Sequence, residues 1–515
     1  MSQTALKSNK EIRHVDAVVI GAGTAGHNAY RQISKATNNV LIINEGIWST
    51  TCIYMGCMPS KLLIAAADRA YHANHSDEFG VEGRAIINGE QVMKRVRSER
   101  DHFASYALKN VESWDENNKI SGRAVITESG LIEAHTATGE TLYIKADHII
   151  VATGSKPSVP EGWKLSLGDA LITSDTIFEL ADLPKSMAVV GAGAIGLELA
   201  QAMSRLEVEV VIFNRSDIVG GIKDEAINQK AISCFSKQLD LRINTRIDSV
   251  SREENKDDVH AVIDYTDADG NSKTWRGEKV LVATGRHNTL DTLGLEHVGV
   301  KLDDKNRPLN MNRITGKIEG TKVYVVGDAN AYMPLLHVSS NEGYLSGKEV
   351  ALKISGLADK ISMSDAIAKD TDCANDSNML NDMSPDKSKT ATTPMSVIFT
   401  SPQIMTIGQS LPEIENDGRP YVIGEVSFDN QGRSRVMGVN CGLLHIYACP
   451  DTQLILGASM VGPDAEYIAH ILATAITNKV DIEGLLASPF YHPTILEGLR
   501  TALRDTVSKI DKYNA

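Results

Sequence analysis

Short apolar runs alternate with longer stretches of helical period along most of this chain. Residues 15–20, 40–43, 187–190, 208–213 and 322–326 are buried-strand patterns of four to six residues. A helical pattern follows the first run through Ser34, and an amphipathic helix follows the third. Residues 62–113 read as helical, with apolar positions at Leu62, Leu63, Ala66, Val92, Val96 and Phe103. From 119 to 150 the pattern shortens to strands, 142–144 among them. A helix is expected over 339–354. Residues 395–515 mix strands at 397–399, 443–447 and 454–460 with helices at 465–477 and 495–509, which suggests an α+β domain.

Two of the strand–helix junctions carry the same glycine pattern. The first strand runs into Gly21-Ala22-Gly23-Thr24-Ala25-Gly26, and the strand at 187–190 runs into Gly191-Ala192-Gly193-Ala194-Ile195-Gly196. In a strand–turn–helix context this is a dinucleotide fingerprint. The first glycine makes the tight turn, the second lets a pyrophosphate approach the backbone, and the third permits close helix packing. The phosphates then sit on the helix N-terminus, where free N–H groups and the dipole favour an anion. Two further strands end alike, in Val151-Ala152-Thr153-Gly154 and Val282-Ala283-Thr284-Gly285. The repetition is an internal duplication, and it implies two bound dinucleotides.

Composition narrows the class. The 515 residues suggest about three domains. A formal net charge of −14 makes nucleic acid and anionic membrane poor partners. No apolar run approaches the ~20 residues of a membrane span, and residues 1–14 lack the apolar core of a signal peptide. Six scattered cysteines do not make a secreted disulfide framework. A reducing cytoplasm is the expected location, where a close cysteine pair is more often catalytic than structural. Residues 357–394 are rich in Asp, Ser, Asn, Thr and Lys and read as a polar surface insertion. Cys373 lies in it with nothing nearby to activate it.

One such pair exists. In Thr51-Cys52-Ile53-Tyr54-Met55-Gly56-Cys57-Met58-Pro59-Ser60-Lys61 the two cysteines are five positions apart. In a regular helix that spacing separates their Cα atoms by about 8.7 Å, beyond the ~7 Å a disulfide tolerates. A bond between them requires an irregular helix, with Gly56 allowing the bend. Two unbonded buried cysteines, packed as small hydrophobes, are the alternative; zinc lacks a second ligand pair. Near the end of the chain, Tyr491-His492-Pro493-Thr494 leads into Glu497. His492 precedes a proline and so sits in extended geometry before a helix. Glu497 can reach back to one ring nitrogen and make the histidine a base. A surface histidine beside an ordinary glutamate is the plainer reading.

The ordered set of Gly21–Gly26, Cys52–Lys61, Gly191–Gly196, Gly327-Asp328 and His492–Glu497 resembles the flavin-dependent disulfide oxidoreductases that use pyridine nucleotides, the dihydrolipoyl dehydrogenases in particular. The similarity runs from about residue 15 to 510 and is interrupted by the 357–394 insertion. It implies an α/β fold with two Rossmann-like domains, one for FAD and one for NAD, plus a C-terminal α+β dimerisation domain. The corresponding segments are 1–158 and 287–356 for FAD, 159–286 for NAD(P), and 395–515 for dimerisation. It implies that Cys52 exchanges with substrate and that Cys57 faces the flavin as a charge-transfer thiolate. Lys61 lies near the flavin N5 and pairs with Glu198. Asp328 holds the ribityl chain. His492, oriented by Glu497 and supplied by a second subunit, takes the substrate proton. Thr51, Ala152, Thr153, Gly154, Ile195, Gly285, Leu336 and His337 complete the expected cofactor contacts. The implied reaction oxidises a protein-bound dihydrolipoyl group and passes its electrons through FAD to NAD+. The implied partners are a second copy of the chain and the lipoyl-bearing acyltransferase of a 2-oxo acid dehydrogenase complex.

Three stretches depart from that pattern. Ser49 and Thr50 replace two glycines before the Thr-Cys step. The first dinucleotide strand ends Asn44-Glu45, where a carboxylate is expected to hold the ribose hydroxyls of an adenosine, a solvated loop charge being the plainer reading. The usual acid aligns with Asn44, and Glu45, one place later, faces the other side of the strand. At the second site Asn214 and Arg215 occupy those places; an amide does not repel a 2′-phosphate and an arginine attracts one, so NADP stays open beside NAD. The rival functions are another FAD-dependent disulfide reductase, a transhydrogenase using NADP, and a catalytically silent scaffold. The cysteine pair and His492–Glu497 argue against the last two. The last cysteine, Cys449, is far from the C-terminus, so no reactive cysteine pair ends the chain.

Overall fold

A computed structural model of the chain describes residues 11–255, 258–357 and 393–515. Residues 1–10, most of the polar insertion and Cys373 lie outside that set. The described residues form two compact units, each assembled from three separated segments.

The first unit takes residues 11–57, 100–156 and 286–357. Its centre is the strand Ile12–Ile20, paired in parallel with Val40–Asn44 on one side and Thr141–Val151 on the other. Lys119–Ile126 and Val323–Val325 extend the parallel sheet outward at its two edges. Ile132–Thr136 joins Lys119–Ile126 to Thr141–Val151 in antiparallel pairing. The central strands are apolar throughout because both faces are covered. Successive side chains point to opposite faces. Ala17, Val19, Ile42 and Ile150 therefore pack with Ala25, Ala29, Tyr30 and Ile33 of the helix Thr24–Ile33. Val18, Leu41, Ile43 and Ile149 face the opposite way, into a layer with Leu290, Leu293 and Leu295.

The helix Leu336–Ile354 lies against Thr24–Ile33. Gly343 and Gly347 make this possible. A methyl group on Gly347 falls 2.6 Å from the Ala29 carbonyl oxygen and 2.8 Å from its Cα, and one on Gly343 falls 2.7 Å from the Ala25 Cα. Those contacts are backbone and cannot rotate away.

The second unit takes residues 58–99, 157–285 and 393–515. Its parallel sheet has the order Leu171–Thr173, Lys279–Val282, Ser186–Val190, Glu209–Phe213, Asp240–Arg242. An antiparallel meander of Arg246–Asn255, Asp258–Thr266 and Ser272–Gly277 follows Asp240–Arg242 before the chain returns to the sheet as Lys279–Val282. A second sheet is wholly antiparallel, in the order Met395–Ile398, Gln403–Gly408, Ile455–Gly462, Leu443–Ala448, Val422–Ser427. The helices Ala465–Thr477 and Leu496–Asn514 cover one of its faces and close a core that includes Met405, Leu444, Ile446, Leu472 and Leu499.

The long helical pattern over 62–113 resolves into two helices, Cys57–Asn74 and Gly89–Glu112. Between them lies the single turn Asp77–Phe79, which ends at Gly80, left-handed at φ +75°. Asn88 starts the second by accepting the Gln91 N–H at 3.0 Å. Among the described residues no helix is long and apolar enough to cross a membrane.

Gly347→Ala drives a methyl group into the Ala29 backbone. The expected loss is about 1–3 kcal/mol, the range for overpacking a tight contact. A drop in thermal midpoint checks it, and an unchanged midpoint contradicts the close approach described here.

Candidate active site and dinucleotide cradles

The two fingerprint turns are built the same way. Gly21 has φ +103° and Gly191 φ +108°, where a side chain is strained. A Cβ on Gly191 lies 2.6 Å from the Ala283 carbonyl oxygen, and one on Gly21 meets that of Ala152. The third glycines, Gly26 and Gly196, abut the carbonyl oxygens of Gly21 and Gly191. Gly23 and Gly193 have open space beside them, which is where a pyrophosphate approaches. Each is the N-cap of its helix and offers no side chain to the first N–H groups. Ile195 lies in the first turn of the second helix and is half-buried.

The strand-end asparagines also match. Asn44 Oδ1 accepts the Ala22 N–H at 2.9 Å, and Asn214 Oδ1 accepts the Ala192 N–H at 3.0 Å. Their amide nitrogens donate to the loops behind, Asn44 to the Ile47 carbonyl and Asn214 to those of Ser216 and Ile218. Both side chains thus brace the glycine turns. The next residues, Glu45 and Arg215, are exposed and opposite in charge.

Around the first cradle, buried polar atoms await a partner. Thr153 Oγ1, Ser49 Oγ and His337 Nε2 are all buried and unbonded. Burial lowers the basicity of the His337 ring. Leu336 and His337 open the helix Leu336–Ile354. Asp328 is half-buried and accepts from Ser155 Oγ at 3.1 Å and Ser339 Oγ at 3.2 Å. Ala152 continues the sheet by donating to the Ile20 carbonyl. Beyond it, Gly154 is left-handed at φ +67° with open space beside it, as is Gly285 at φ +113°. A glycine cradle, an acidic residue at a strand end and orphaned polar atoms fit an extended dinucleotide such as FAD.

Glu342 supports the Asp328 turn. Its carboxylate accepts the Gly327 N–H at 2.7 Å and the Asn330 amide at 2.8 Å. Burial pushes its carboxyl up to about 7, against the pull of those hydrogen bonds and of Arg313.

The cysteine segment is irregular, as a bond between its two cysteines would require. Thr51–Tyr54 is one short helix and Cys57–Asn74 another, with a break at Met55 and Gly56. Thr50 caps the first by accepting the Ile53 N–H at 3.2 Å, and Thr51 is exposed beside it. Gly56 serves by its size: its φ is not left-handed, but a Cβ there falls 3.3 Å from the Cys52 Cα and 3.0 Å from the Thr51 carbonyl oxygen. Arg100, almost fully buried, lies 4.1 Å over the Tyr54 ring between the cysteines.

Lys61 is one turn along the helix that Cys57 opens. Its Nζ donates to both Glu198 oxygens at 2.8 and 3.0 Å. Glu198 is buried and also accepts the Phe399 N–H at 2.8 Å, while the Phe399 ring lies 4.5 Å from the lysine nitrogen. His492 is 80% exposed, with Nδ1 at 3.0–3.1 Å from the Glu497 carboxylate. The hydrogen bond from His492 holds Glu497 below the usual carboxylate range, and Thr494 N–H and Arg500 add to it. Among the described residues no cluster of three or more His, Cys, Asp or Glu could hold a metal ion.

The family model for pyridine nucleotide-disulphide oxidoreductases matches residues 15–343, and that family's dimerisation-domain model matches 394–503. The chain belongs to the pyridine nucleotide-disulphide oxidoreductase family, and it is an FAD-dependent oxidoreductase with FAD and NAD as cofactors. It is similar to the dihydrolipoyl dehydrogenase of Chlamydia pneumoniae, at 29% identity over 94% of this chain and 95% of that one. It is also similar to the dihydrolipoyl dehydrogenase of Halobacterium salinarum, at 26% identity over 95% of each. Two solved structures share the fold. One is a Cu(II) complex of the HOCl-induced flavoprotein disulfide reductase RclA from Escherichia coli, with TM-score 0.74, 19% identity, and 96% and 99% of the two chains covered. The other is LpdA from Mycobacterium tuberculosis, with TM-score 0.72, 23% identity, and 95% and 99% covered.

A carboxyl raised by folding keeps a proton that the unfolded chain has released. Its contribution to stability is therefore greatest at low pH and is lost as pH rises from 4.5 to about 7. The stability of the unmodified protein relative to Glu342→Gln should fall across that window. Unfolding midpoints measured at several pH values check it, and a flat difference counts against the raised carboxyl.

Proposed function

We propose that this flavoenzyme is a dihydrolipoyl dehydrogenase, which oxidises protein-bound dihydrolipoyl groups and passes the electrons to NAD+. The observation that carries the reading is the His492–Glu497 pair: a buttressed, exposed base is what thiol oxidation needs, and direct hydride exchange between two nicotinamides does not. The cysteine pair across the Gly56 break supplies the exchangeable bond.

A thiolate attacks a disulfide and a thiol does not. In this reading His492 Nε2 takes the proton from one sulfur of the dithiol, while Glu497 holds Nδ1 and stabilises the charged ring. The freed thiolate attacks the Cys52 sulfur of the Cys52–Cys57 bridge, and Cys57 leaves as a thiolate. The second substrate sulfur then closes the lipoyl ring and expels Cys52. Lys61, held by Glu198, keeps a positive charge one turn from Cys57, which favours its thiolate. Bound FAD supplies the two-electron path from the cysteines to the nicotinamide. Gly21, Gly23, Gly26, Thr153 and Asp328 are the residues to hold it, and Gly191, Gly193 and Gly196 those to hold NAD.

His492 projects from its own unit, so the reading places it at the cysteine pair of a second copy in a homodimer. The matched dimerisation domain supports this. A lipoyl-bearing acyltransferase is the proposed macromolecular partner, and a cytoplasmic location goes with it. A second reading keeps the chemistry and changes the nicotinamide. Asn214 spends its amide on the turn, and exposed Arg215 can meet a 2′-phosphate, so this reading is a disulfide reductase that accepts NADP beside NAD.

A turnover screen of dihydrolipoamide, glutathione disulfide and bare transhydrogenation, each with both nicotinamides, decides among these. Dihydrolipoamide with NAD+ is expected to be fastest; a preference for another pair removes the assignment. His492→Ala should slow dihydrolipoamide oxidation by about 10²–10⁴-fold, yet change NADH oxidation by an artificial one-electron acceptor little. Equal losses in the two assays would refute the base. Arg215→Glu should raise the KM for NADP+ and leave that for NAD+ nearly unchanged; a shift in both points to a structural role.

A further inference from the structure

The helix Glu225–Phe235 is fixed at three points, one on the antiparallel sheet of its unit and two on the segment joining its strands Val422–Ser427 and Leu443–Ala448. At its start Asp224 caps the helix by accepting the Ile227 N–H at 3.1 Å. The same carboxylate accepts from His445 Nδ1 at 2.7 Å and from the Tyr447 hydroxyl at 2.8 Å, and all three side chains are buried. Burial acts to raise the Asp224 carboxyl, but hydrogen bonds from His445, Ile227 and Tyr447 outweigh it and hold it below the usual range. Midway, Lys230 Nζ donates to both oxygens of Asp429 at 2.6 and 2.7 Å. Near the end Cys234 is disulfide-bonded to Cys441, 207 positions away, with Cα atoms 6.2 Å apart.

The same helix shapes the loop behind the second fingerprint. Asn228 Oδ1 accepts the Val219 N–H at 2.9 Å, and its amide donates to the Asp217 carbonyl at 2.9 Å. From the other side, Asn214 holds the carbonyls of Ser216 and Ile218, and Gly220 N–H donates to the Ala192 carbonyl at 2.8 Å. Hydrogen bonds therefore connect the bridged helix to the Gly191–Gly196 turn through one short loop.

We propose that Cys234 and Cys441 form a second dithiol–disulfide couple, separate from Cys52 and Cys57, whose oxidation state sets the affinity of the Gly191–Gly196 turn for its nicotinamide dinucleotide. The proposal rests on that turn being the nicotinamide site and not on the identity of the dithiol substrate. The reductant is a small dithiol. Its thiolate attacks Cys441, which is half-buried, in preference to Cys234, which is 1% exposed. A mixed disulfide forms at Cys441, and Cys234 leaves as a thiolate and takes up a proton. The second sulfur of the dithiol displaces Cys441 and closes a cyclic disulfide, so two electrons and two protons have passed to the protein. The Asp224 and Lys230 contacts survive this step. Opening the bridge removes the covalent tie on this helix and leaves it held by the Asp224 and Lys230 contacts alone, so the helix can shift as a body and Asn228, with the loop it braces, shifts with it. A protein disulfide in a reducing compartment is typically transient and redox-sensing, which suits a bond that reports the local thiol balance.

The test uses the full-length flavoprotein. Non-reducing peptide mapping of the oxidised protein should find the 234–441 linkage. NADH binding, followed by fluorescence titration, is then measured before and after treatment with a small dithiol, and again in the Cys234→Ser, Cys441→Ser double variant. Reduction should weaken NADH binding by about 3- to 10-fold in the unmodified protein. The double variant should start at the weaker value and ignore the dithiol, which separates this couple from every other thiol in the chain. If the double variant fails to fold, Cys441→Ala alone gives the same comparison. Absence of the linkage, binding indifferent to reduction, or a variant that still responds overturns the proposal. Loss of dihydrolipoamide turnover alone leaves it standing, because no arm reads that reaction.

Discussion

The architecture depends on one close approach, made twice. In each fingerprint the third glycine lies against the carbonyl oxygen of the first, so the helix starts directly on top of the turn that ends the strand. A single methyl group at Gly26 or Gly196 would displace the helix N-terminus from the place where a pyrophosphate meets its N–H groups. The buried strands on either side fix the turns in space. Gly21 N–H donates to the Ile43 carbonyl and Gly191 N–H to the Phe213 carbonyl, so each turn is tied to the neighbouring parallel strand as well. The second strand, the turn and the helix are therefore one mechanical piece, and the duplication copies that piece down to individual hydrogen bonds.

The parts of the fold that sequence alone conveys are those under two-sided burial. The runs at 15–20, 40–43, 187–190 and 208–213 can only be apolar because helices and loops cover both sheet faces. The meander from Arg246 to Gly277 and the strands Gln403–Gly408 and Val422–Ser427 carry no such run. Their exposed faces hold Asp248, Asp264 and Glu425, and pairing with their neighbouring strands decides them. The five-residue cysteine spacing required a broken helix only on condition that the two bond, and the break at Met55 and Gly56 meets that condition. It did not convey that Gly56 acts by small size and not by an unusual φ. Glu342 is one charged position within the helix expected over 339–354; only the tertiary structure puts its carboxylate under the Asp328 turn. The Cys234–Cys441 bond was likewise invisible, because partners 207 positions apart leave no local pattern.

Among the described residues, buried charges such as Glu198 and Asp224 have more than one partner. Glu198 serves Lys61 and the Phe399 N–H together, and Asp224 serves a helix cap, a histidine and a tyrosine. A buried ion pair gains little net stability, yet removing one member leaves the other uncompensated at a cost of about 3–5 kcal/mol. Such groups hold neighbouring segments in register more than they strengthen the fold. For Lys61 that means a fixed distance from Cys57, one helical turn away.

The asparagines at 44 and 214 have a thermodynamic consequence. Because each ties its glycine turn to the loop behind it, the turn has its final shape before any nucleotide arrives. The ordering entropy of those residues is charged to folding, and association need only meet the cost of the incoming molecule. Discrimination between one nucleotide and another is then left to whatever stands at the rim, where a carboxylate follows one asparagine and a guanidinium the other.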